Sequence, residues 1–159
     1  MSAAVTGGCD MGEVVLEIPA RVEYLVLARQ VVAAAAAVEP RLRDERIDDL
    51  RIAVSEATTN AIEAHADLSS PASEDRILIR CNLDDDRIEV SVFDRAGGFD
   101  PAGVADAPEP SAPDRLERER GLGLPLMRTL ADESDISSTD GGTAVRLVVF
   151  TPGSARSTA

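Results

Sequence analysis

The sequence predicts an α+β domain: a two-layer α/β sandwich with a mixed, mostly antiparallel sheet and helices on one of its faces. Predicted strands and helices mix along the chain without the regular alternation of a doubly wound parallel fold. The chain has 159 residues, 44% of them hydrophobic, and a chain of this size can fold as one domain without disulfides. Aromatic residues make up only 3%, so the core has to be built from Val, Leu, Ile and Ala.

The predicted strands are short apolar or alternating runs that are bounded by turn residues. The first strand reads GEVVLEIP and is closed by Pro19. The second and third are joined by acidic residues as a hairpin, and the last two lie on either side of Gly141-Gly142. The five strands cover residues 12–19, 76–83, 86–94, 134–140 and 143–150.

Three helices are predicted from apolar residues at intervals of three and four. The first covers 20–38 and ends before Glu39-Pro40, because a residue that precedes proline disfavours the helical conformation. The second covers 42–66, and the third, shorter helix covers 121–132 and begins with the letters GLGLP. The apolar stripe of the second helix consists of Ile47, Leu50, Val54, Ala57 and Ala61.

These elements form one predicted domain over residues 12–152, with flexible tails at 1–11 and 153–159. The segment 101–120 contains four prolines and few large apolar groups. A structureless connection of about twenty residues inside a compact domain is usually functional or disordered.

The composition excludes several functions. All sixteen basic residues are Arg, and Lys is absent, which rules out a Walker-type phosphate loop, the ATP site of an ordinary eukaryotic-type protein kinase and Schiff-base chemistry. Sixteen basic against 29 acidic residues give a net charge of −13, which repels nucleic acid. This charge either attracts a basic protein partner or only keeps the chain soluble.

The location of the protein is predicted from its cysteines and its apolar runs. Cys9 and Cys81 lack metal-ligand spacing and are expected to be reduced. The first ten residues, MSAAVTGGCD, have neither the basic nor the apolar region of a signal peptide. The richest apolar run, at 31–38, is too short to cross a membrane. We therefore expect a cytoplasmic protein.

The stretch SEATTNAIEAH at 55–65 carries the first candidate site. Glu56 and Asn60 are four residues apart, so they stand on one face of the second helix, away from its apolar stripe. That face meets either solvent or a pocket. For the pair taken alone, solvated surface residues are the commoner explanation.

Four further features each allow a functional and a structural interpretation. Asp94 either binds an exocyclic amine, with the glycines after it allowing close approach, or caps a turn. The backbone amides of GLGLP either bind phosphate at a helix start or belong to a hinge. Thr143 either reaches a ligand or is simply a good strand residue. His65, the single histidine, is interpreted as a helix-end residue rather than a catalyst.

The order of these motifs along the chain changes their significance. E-x-x-x-N on a helix, Asp with glycines after a strand, G-L-G-L before a helix and G-T before a strand follow one another, with the Pro-rich segment between the second and third. This order resembles the Bergerat ATP-binding fold of histidine kinases and type II topoisomerases. VSEATTNAIEAH, VFDRAGGFDP, GLGLPLMRTLAD and GTAVRLVVF are most similar to the bacterial anti-sigma-factor serine/threonine kinases, over roughly residues 12 to 150.

The resemblance implies a role for each matching residue. Asn60 would coordinate the Mg²⁺ that bridges the ATP phosphates, and Glu56 would be the general base for a serine or threonine hydroxyl. Asp94 would bind the adenine amine, with Thr143 supporting it. The amides of Gly121 and Gly123 would bind phosphate, Gly98 of the first glycine box would also lie at the nucleotide, and residues 101–120 would be the lid.

One position departs from the family pattern. The first glycine box is D-x-G-x-G in the family, whereas this chain has Asp94-Arg95-Ala96-Gly97-Gly98. If that position requires a positive φ, alanine costs about 1 kcal/mol or more. The substitution therefore concerns nucleotide affinity more than the fold.

Three functional hypotheses follow. The first is an anti-sigma factor with serine/threonine kinase activity, which sequesters a sigma factor, phosphorylates an anti-anti-sigma protein of the STAS type and, as the resemblance implies, forms a homodimer. The second is a binding module that works by partner exchange, in which ATP is structural or absent. The third is an ATP-dependent regulator of a different target, which the sequence does not separate from the first.

Overall fold

The computed structural model describes residues 10–66, 76–94, 115–139 and 142–154. Five strands form one sheet in the order β1-β2-β3-β5-β4. The strands are β1 (Asp10–Pro19), β2 (Arg76–Asp84), β3 (Arg87–Asp94), β4 (Glu133–Thr139) and β5 (Gly142–Phe150). The helices are α1 (Leu25–Ala36), α2 (Asp44–Ala66) and α3 (Arg115–Leu130), and a short 3₁₀ turn at Val22–Tyr24 precedes α1.

The predicted fold class is confirmed. All four strand pairings in the described sheet are antiparallel, and β2 and β3 form the predicted hairpin around Asp85 and Asp86. Burial alternates along β2, where Ile77, Ile79, Cys81 and Leu83 are buried and the residues between them are half-buried. This period-two pattern is that of a sheet with helices packed on one face.

The core is aliphatic, as the scarcity of aromatic residues requires. Leu50, Val54, Ala57 and Ala61 of α2 are buried, which confirms the predicted stripe, and Ile47 packs at its margin. The helix packs on β3 and β5 as well as on α1 and α3. Thus α2 is the central helix of the layer, and its two long edges are covered by the other helices.

Helix α3 begins earlier than predicted. We expected a short helix from Gly121, but the helix starts at Arg115 and Pro125 lies in its interior. The four prolines that suggested an irregular segment all lie at or before Pro113. The letters RLERER that follow are good helix formers, so the helix extends back through them.

Other predictions fall on residues outside those described. These are the first glycine box with Ala96 and Gly98, the loop 67–75, residues 101–114 of the predicted lid, and most of both tails. At the N-terminus, β1 begins at Asp10, inside the segment that was predicted as a tail. Among the described residues, no helix combines the length and the apolar character needed to cross a membrane.

Candidate functional site

The helix α2 presents Glu56 and Asn60 at its edge rather than toward the core. Both side chains are half-buried, whereas Ala57 and Thr58 next to them are fully buried. Four residues correspond to slightly more than one helical turn, so the carboxylate and the carboxamide lie one above the other. The predicted pairing of these two groups on one face is therefore present.

The face that carries this pair meets α3 at Gly123. A Cβ atom added to Gly123 would lie 3.1 Å from Glu56 Oε2 and 3.3 Å from Asn60 Nδ2. The glycine itself is buried. The backbone of α3 at Gly123 thus lies close beside the Glu56–Asn60 pair, and both side chains are half-buried there.

The two helices run in opposite directions along this seam. At its other end, Arg46 of α2 donates hydrogen bonds to the carbonyl oxygen of Leu130 at 3.0 Å and to Asp132 Oδ2 at 2.9 Å. Leu124 and Met127 of α3 are buried beneath the seam. The C-terminal half of α3 is therefore anchored to α2 by both polar and apolar contacts.

The expectation that Gly121 and Gly123 precede a helix is wrong in this structure. Both residues lie inside α3, beyond its first turn. Amides at such positions are satisfied by carbonyl groups four residues earlier, whereas the first four amides of a helix are available to a ligand. The role of these amides in phosphate binding remains a prediction, and it requires α3 to unwind at the glycines.

The two residues assigned to the adenine end are brought together by the sheet. Asp94, the last residue of β3, lies directly opposite Thr143, the second residue of β5. Thr143 is 5% exposed and Asp94 is half-buried. Gly142 precedes Thr143 with φ 134°, a conformation that side chains of L-residues rarely adopt. The backbone conformation at position 142 therefore favours the glycine of the G-T motif.

His65 is placed differently from the candidate residues. It lies on the buried stripe of α2 with 3% exposure, three and four residues after Ile62 and Ala61. A cavity of about 320 Å³ also lies elsewhere, lined by Arg43, Arg46 and Phe150 among others. Neither feature belongs to the Glu56–Asn60 seam.

The chemistry of the pair suits magnesium. Asn60 offers an amide oxygen, a hard ligand of the kind that Mg²⁺ prefers, and Glu56 offers a carboxylate that can accept a proton beside it. Within the described part of the chain, no group of three or more His, Cys, Asp or Glu residues could hold a metal ion. In kinase and ATPase sites Mg²⁺ is held by one or two protein ligands and takes the others from water and substrate phosphates.

The close approach of Gly123 to the pair is not predicted by the sequence. The local sequence GLGLP alone indicates either a phosphate loop or a hinge. A glycine on the helix face that meets another helix is also what close packing of two helices requires, since a side chain there would hold them apart. That signal becomes specific only when the neighbouring helix is known.

The fold and these motifs define a nucleotide-binding class, and comparisons with known proteins agree. The family model of the histidine kinase-like ATPase domain matches residues 18–149. The chain is 36% identical over 135 residues to a serine-protein kinase RsbW of Bacillus pumilus, covering 80% of each chain. It is 40% identical over 126 residues to an anti-sigma F factor of Caldanaerobacter subterraneus, covering 77% of this chain and 82% of that one.

A solved structure shows the same fold. The RsbU and RsbW domains of a Mycobacterium tuberculosis protein superpose with a TM-score of 0.62 at 21% identity, over 89% of this chain and 33% of that one. The chain therefore belongs to the histidine kinase-like ATPase family. Within it, the chain is similar to the anti-sigma-factor kinases, which confirms the resemblance found in its motifs.

Proposed function

We propose that this protein is an anti-sigma factor with ATP-dependent serine/threonine kinase activity, which sequesters a sigma factor and phosphorylates a STAS-type anti-anti-sigma protein in the cytoplasm. The single observation that carries the proposal is the seam at which Glu56 and Asn60 meet Gly123. The names of the relatives support the two activities. The net charge of −13 favours partners with a basic surface.

The reaction places one proton on Glu56. The acceptor hydroxyl oxygen forms a bond to the γ-phosphorus as the bond from that phosphorus to the β–γ bridging oxygen breaks, and ADP leaves. The hydroxyl proton passes to a carboxylate oxygen of Glu56. Such a positioned base contributes about 10²–10⁴ in rate. Bound Mg²⁺ would supply neutralisation of phosphate charge, held in part by the amide oxygen of Asn60.

Access to the pair requires α3 to move. A Cβ added to Gly123 would lie 3.1–3.3 Å from both functional side chains, so α3 leaves little room for phosphate groups at the pair unless its N-terminal half withdraws. That half contains two glycines and ends at Pro125, which donates no hydrogen bond to the turn before it. The helix is weakest at the position where the proposed mechanism needs it to open.

The decisive experiment is phosphate transfer with labelled ATP. The purified protein is incubated with Mg-ATP and the STAS-domain protein encoded nearest to its own gene, and label on Ser or Thr is measured. Glu56→Ala is expected to lower the rate by at least about 10² while binding of ATP persists. If ATP binds to the wild type and no label reaches the STAS protein, the kinase activity is disproved.

The second candidate function is a binding module that works by partner exchange without catalysis. Ala96 in the first glycine box favours it, because the family has glycine at that position. Glu56→Ala separates the two functions. If this variant releases a bound sigma factor as the wild type does when ATP and the STAS protein are added, catalysis is not the mechanism.

We also propose that the protein forms a homodimer through the exposed face of α1. Val22 in the 3₁₀ turn before α1 is exposed, as are Val26 and Leu27 of α1, and Gln30, Ala34 and Ala37 continue this face. The exposed Glu23 beside them pairs with Arg21 at 3.3 Å. The face therefore carries little net charge, and two copies of a strongly acidic chain approach there with little repulsion. Val26→Glu is expected to yield monomers in analytical ultracentrifugation.

A further inference from the structure

Two large apolar side chains lie exposed beside the Glu56–Asn60 pair, and the proposed reaction does not use them. Ile52 of α2 is 46% exposed and Leu126 of α3 is 38% exposed. Ile52 is four residues before Glu56, and Leu126 is three residues after Gly123. Each is therefore about one helical turn from the seam contact and on a neighbouring part of its helix surface. We call these two residues the seam patch.

The seam patch lies on the solvent side of the α2–α3 seam. The helices approach each other closely at Gly123 and are joined by a hydrogen bond from Arg46 to Leu130, and both patch residues fall between these points. Their inward neighbours, Val54 and Met127, are buried. The exposed pair is thus not a part of the core, and Leu126 belongs to the half of α3 that remains anchored when the N-terminal half withdraws.

Charged side chains of both signs flank the seam patch on α2. Asp48, Asp49 and Glu63 lie on the outer side of α2 before and after Ile52 and Glu56. Arg51 and Arg46 pair with the first two at 3.3 and 2.8 Å. Because two of these carboxylates are paired with arginines, the border of the patch carries little net charge. An apolar spot one helical turn from the proposed base suits a substrate segment that has an apolar side chain close to its acceptor hydroxyl.

We propose that the seam patch binds the substrate segment that carries the acceptor hydroxyl, through an apolar side chain two residues from the acceptor Ser or Thr. This inference rests on the proposed kinase function. Residues four apart on a helix have Cβ atoms about 5–6 Å apart, and two residues of extended chain span about 6–7 Å. In an extended segment, residues two apart also point to the same side. An acceptor at Glu56 therefore places its second neighbour over Ile52 and Leu126.

The test compares neutral polar replacements with a matched control. Ile52→Gln and Leu126→Gln remove the apolar surface without adding charge near Glu56. Val15→Gln makes the same kind of change at a side chain that is 52% exposed on β1, a strand at the edge of the sheet. The substrate is the STAS-domain protein encoded nearest to this chain's gene, and KM, kcat and the Kd of ATP are measured for each variant.

The seam variants are expected to raise KM for the STAS protein by about tenfold each, as loss of a half-buried aliphatic contact predicts. Their kcat and ATP affinity are expected to stay within about twofold of the wild type, a split that a merely damaged fold would not produce. The substrate is tested in the same way, by replacing the STAS residue two positions from the acceptor with Gln. This change should raise the KM measured with the wild-type kinase. It should not raise further the KM measured with the Ile52→Gln kinase.

Four outcomes would overturn the inference. KM unchanged in both seam variants, or raised equally by Val15→Gln, would show that the patch does not bind the substrate while the kinase function stands. If the Gln replacement in the STAS protein raises KM as much with the Ile52→Gln kinase as with the wild type, the replaced residue does not contact Ile52. Absence of any transfer by the wild type would disprove the proposed function and this inference together.

Discussion

At the scale of single residues, Gly123 determines how closely α3 approaches the functional pair. A built Cβ would lie 3.1 Å from Glu56 Oε2, which is tighter than most real contacts of such an atom. A small side chain is accommodated by a slight shift of the two flexible side-chain ends. A branched one forces the helices apart, because α3 is held at its other end by Arg46.

Substitutions at Gly123 are therefore expected to depend on size. Gly123→Ala should change the free energy of unfolding by less than about 1 kcal/mol, since better helix propensity offsets the close contact. Gly123→Val should lower it by about 1–3 kcal/mol through overpacking. Urea denaturation measures both, and Arg128→Val, at an exposed position of α3, controls for the helix propensity of valine. Equal stability of Gly123→Val and Arg128→Val would contradict the contact.

Cys81 gives a second prediction at this scale. The thiol is 1% exposed, and burial raises its pKa to about 11. At pH 8 only about one molecule in a thousand carries a thiolate, against roughly a quarter for an ordinary thiol. In a Cys9→Ser background, Cys81 should react with a disulfide reagent far more slowly in the native protein than in denaturant. Rapid native reaction would contradict its burial.

The same pKa shift has a consequence for stability. The raised pKa means that the folded state keeps its proton at a pH where the unfolded chain loses it. The contribution is fully present below the ordinary thiol pKa of about 8.5 and is lost as pH rises from there toward 11. The free energy of unfolding should therefore decline between about pH 8.5 and pH 11, and the Cys81→Ala variant should lack this part of the decline.

At the scale of elements, α2 and α3 show what the sequence can and cannot predict. The stripe of α2 was predicted residue by residue, because burial on one helix face repeats with the helical period. The start of α3 was not, because the prolines before Arg115 and the glycines at 121 and 123 both suggest irregular backbone. Tertiary packing of Leu124 and Met127 outweighs the local preference.

Some features of the candidate site could be predicted from the sequence and others could not. Asp94 and Thr143 are distant in sequence, and their pairing across β3 and β5 followed only from the resemblance of the whole motif order. The spacing of Glu56 and Asn60 gave their common face directly. Their contact with Gly123 depends on how two helices pack, which no periodicity within either helix specifies.

Pro125 provides the prediction at the element scale. Together with Gly121 and Gly123 it lowers the stability of α3 by about 5 kcal/mol relative to alanines. Pro125→Ala should therefore raise the thermal stability of the nucleotide-free protein. If α3 has to open for ATP, each 1.4 kcal/mol of added closed-state stability should weaken the apparent ATP affinity about tenfold.

Calorimetry with ATP and thermal unfolding measure the two effects on the same sample. Thr129→Ala, which removes the hydrogen bond from Thr129 Oγ1 to the carbonyl oxygen of Pro125 at 3.0 Å, changes the same turn without restoring a backbone donor. A Pro125→Ala variant with higher thermal stability and unchanged ATP affinity would show that nucleotide enters without opening this helix.

At the scale of the whole molecule, arginine side chains join segments that are remote in the sequence. Arg146 of β5 pairs with Glu89 at 2.7 Å and with Glu133 at 3.5 Å, so one guanidinium links three strands. Arg46 joins α2 to the end of α3. The planar guanidinium can donate in several directions at once, whereas an ammonium group cannot hold such paired geometry. A chain without Lys thus uses its basic residues as structural links.

The link between Arg41 and Glu39 is the one whose pH dependence can be isolated. Glu39 is 2% exposed and accepts hydrogen bonds from Arg41 Nε at 2.8 Å and from the Arg41 backbone amide at 2.9 Å. Arg41 also donates to the carbonyl oxygen of Asp85 in the β2–β3 turn. The hydrogen bonds from Arg41 hold the pKa of Glu39 below its ordinary range.

A lowered pKa means that the unfolded chain takes up the proton first as the solution is acidified. The contribution of Glu39 is therefore complete above about pH 4.3, the ordinary value for Glu, and is lost as pH falls through the lower pKa of the folded state. Glu39→Gln keeps the shape of the side chain but does not titrate. It should be less stable than the wild type by about 1–3 kcal/mol at pH 7, and the difference should shrink below pH 4.3.

The net charge acts in the opposite direction. Protonation of any carboxylate on a chain with a net charge of −13 relieves repulsion and favours the compact state. The pH dependence of the free energy of unfolding of the wild type therefore does not by itself show the contribution of Glu39. Glu63→Gln, at an exposed position of α2, removes one charge as Glu39→Gln does. The difference between the two variants, measured by urea denaturation from pH 7 to pH 3, isolates the Arg41 link. If the difference in free energy of unfolding between the two variants stays constant over this range, the ionised form of Glu39 does not stabilise the fold.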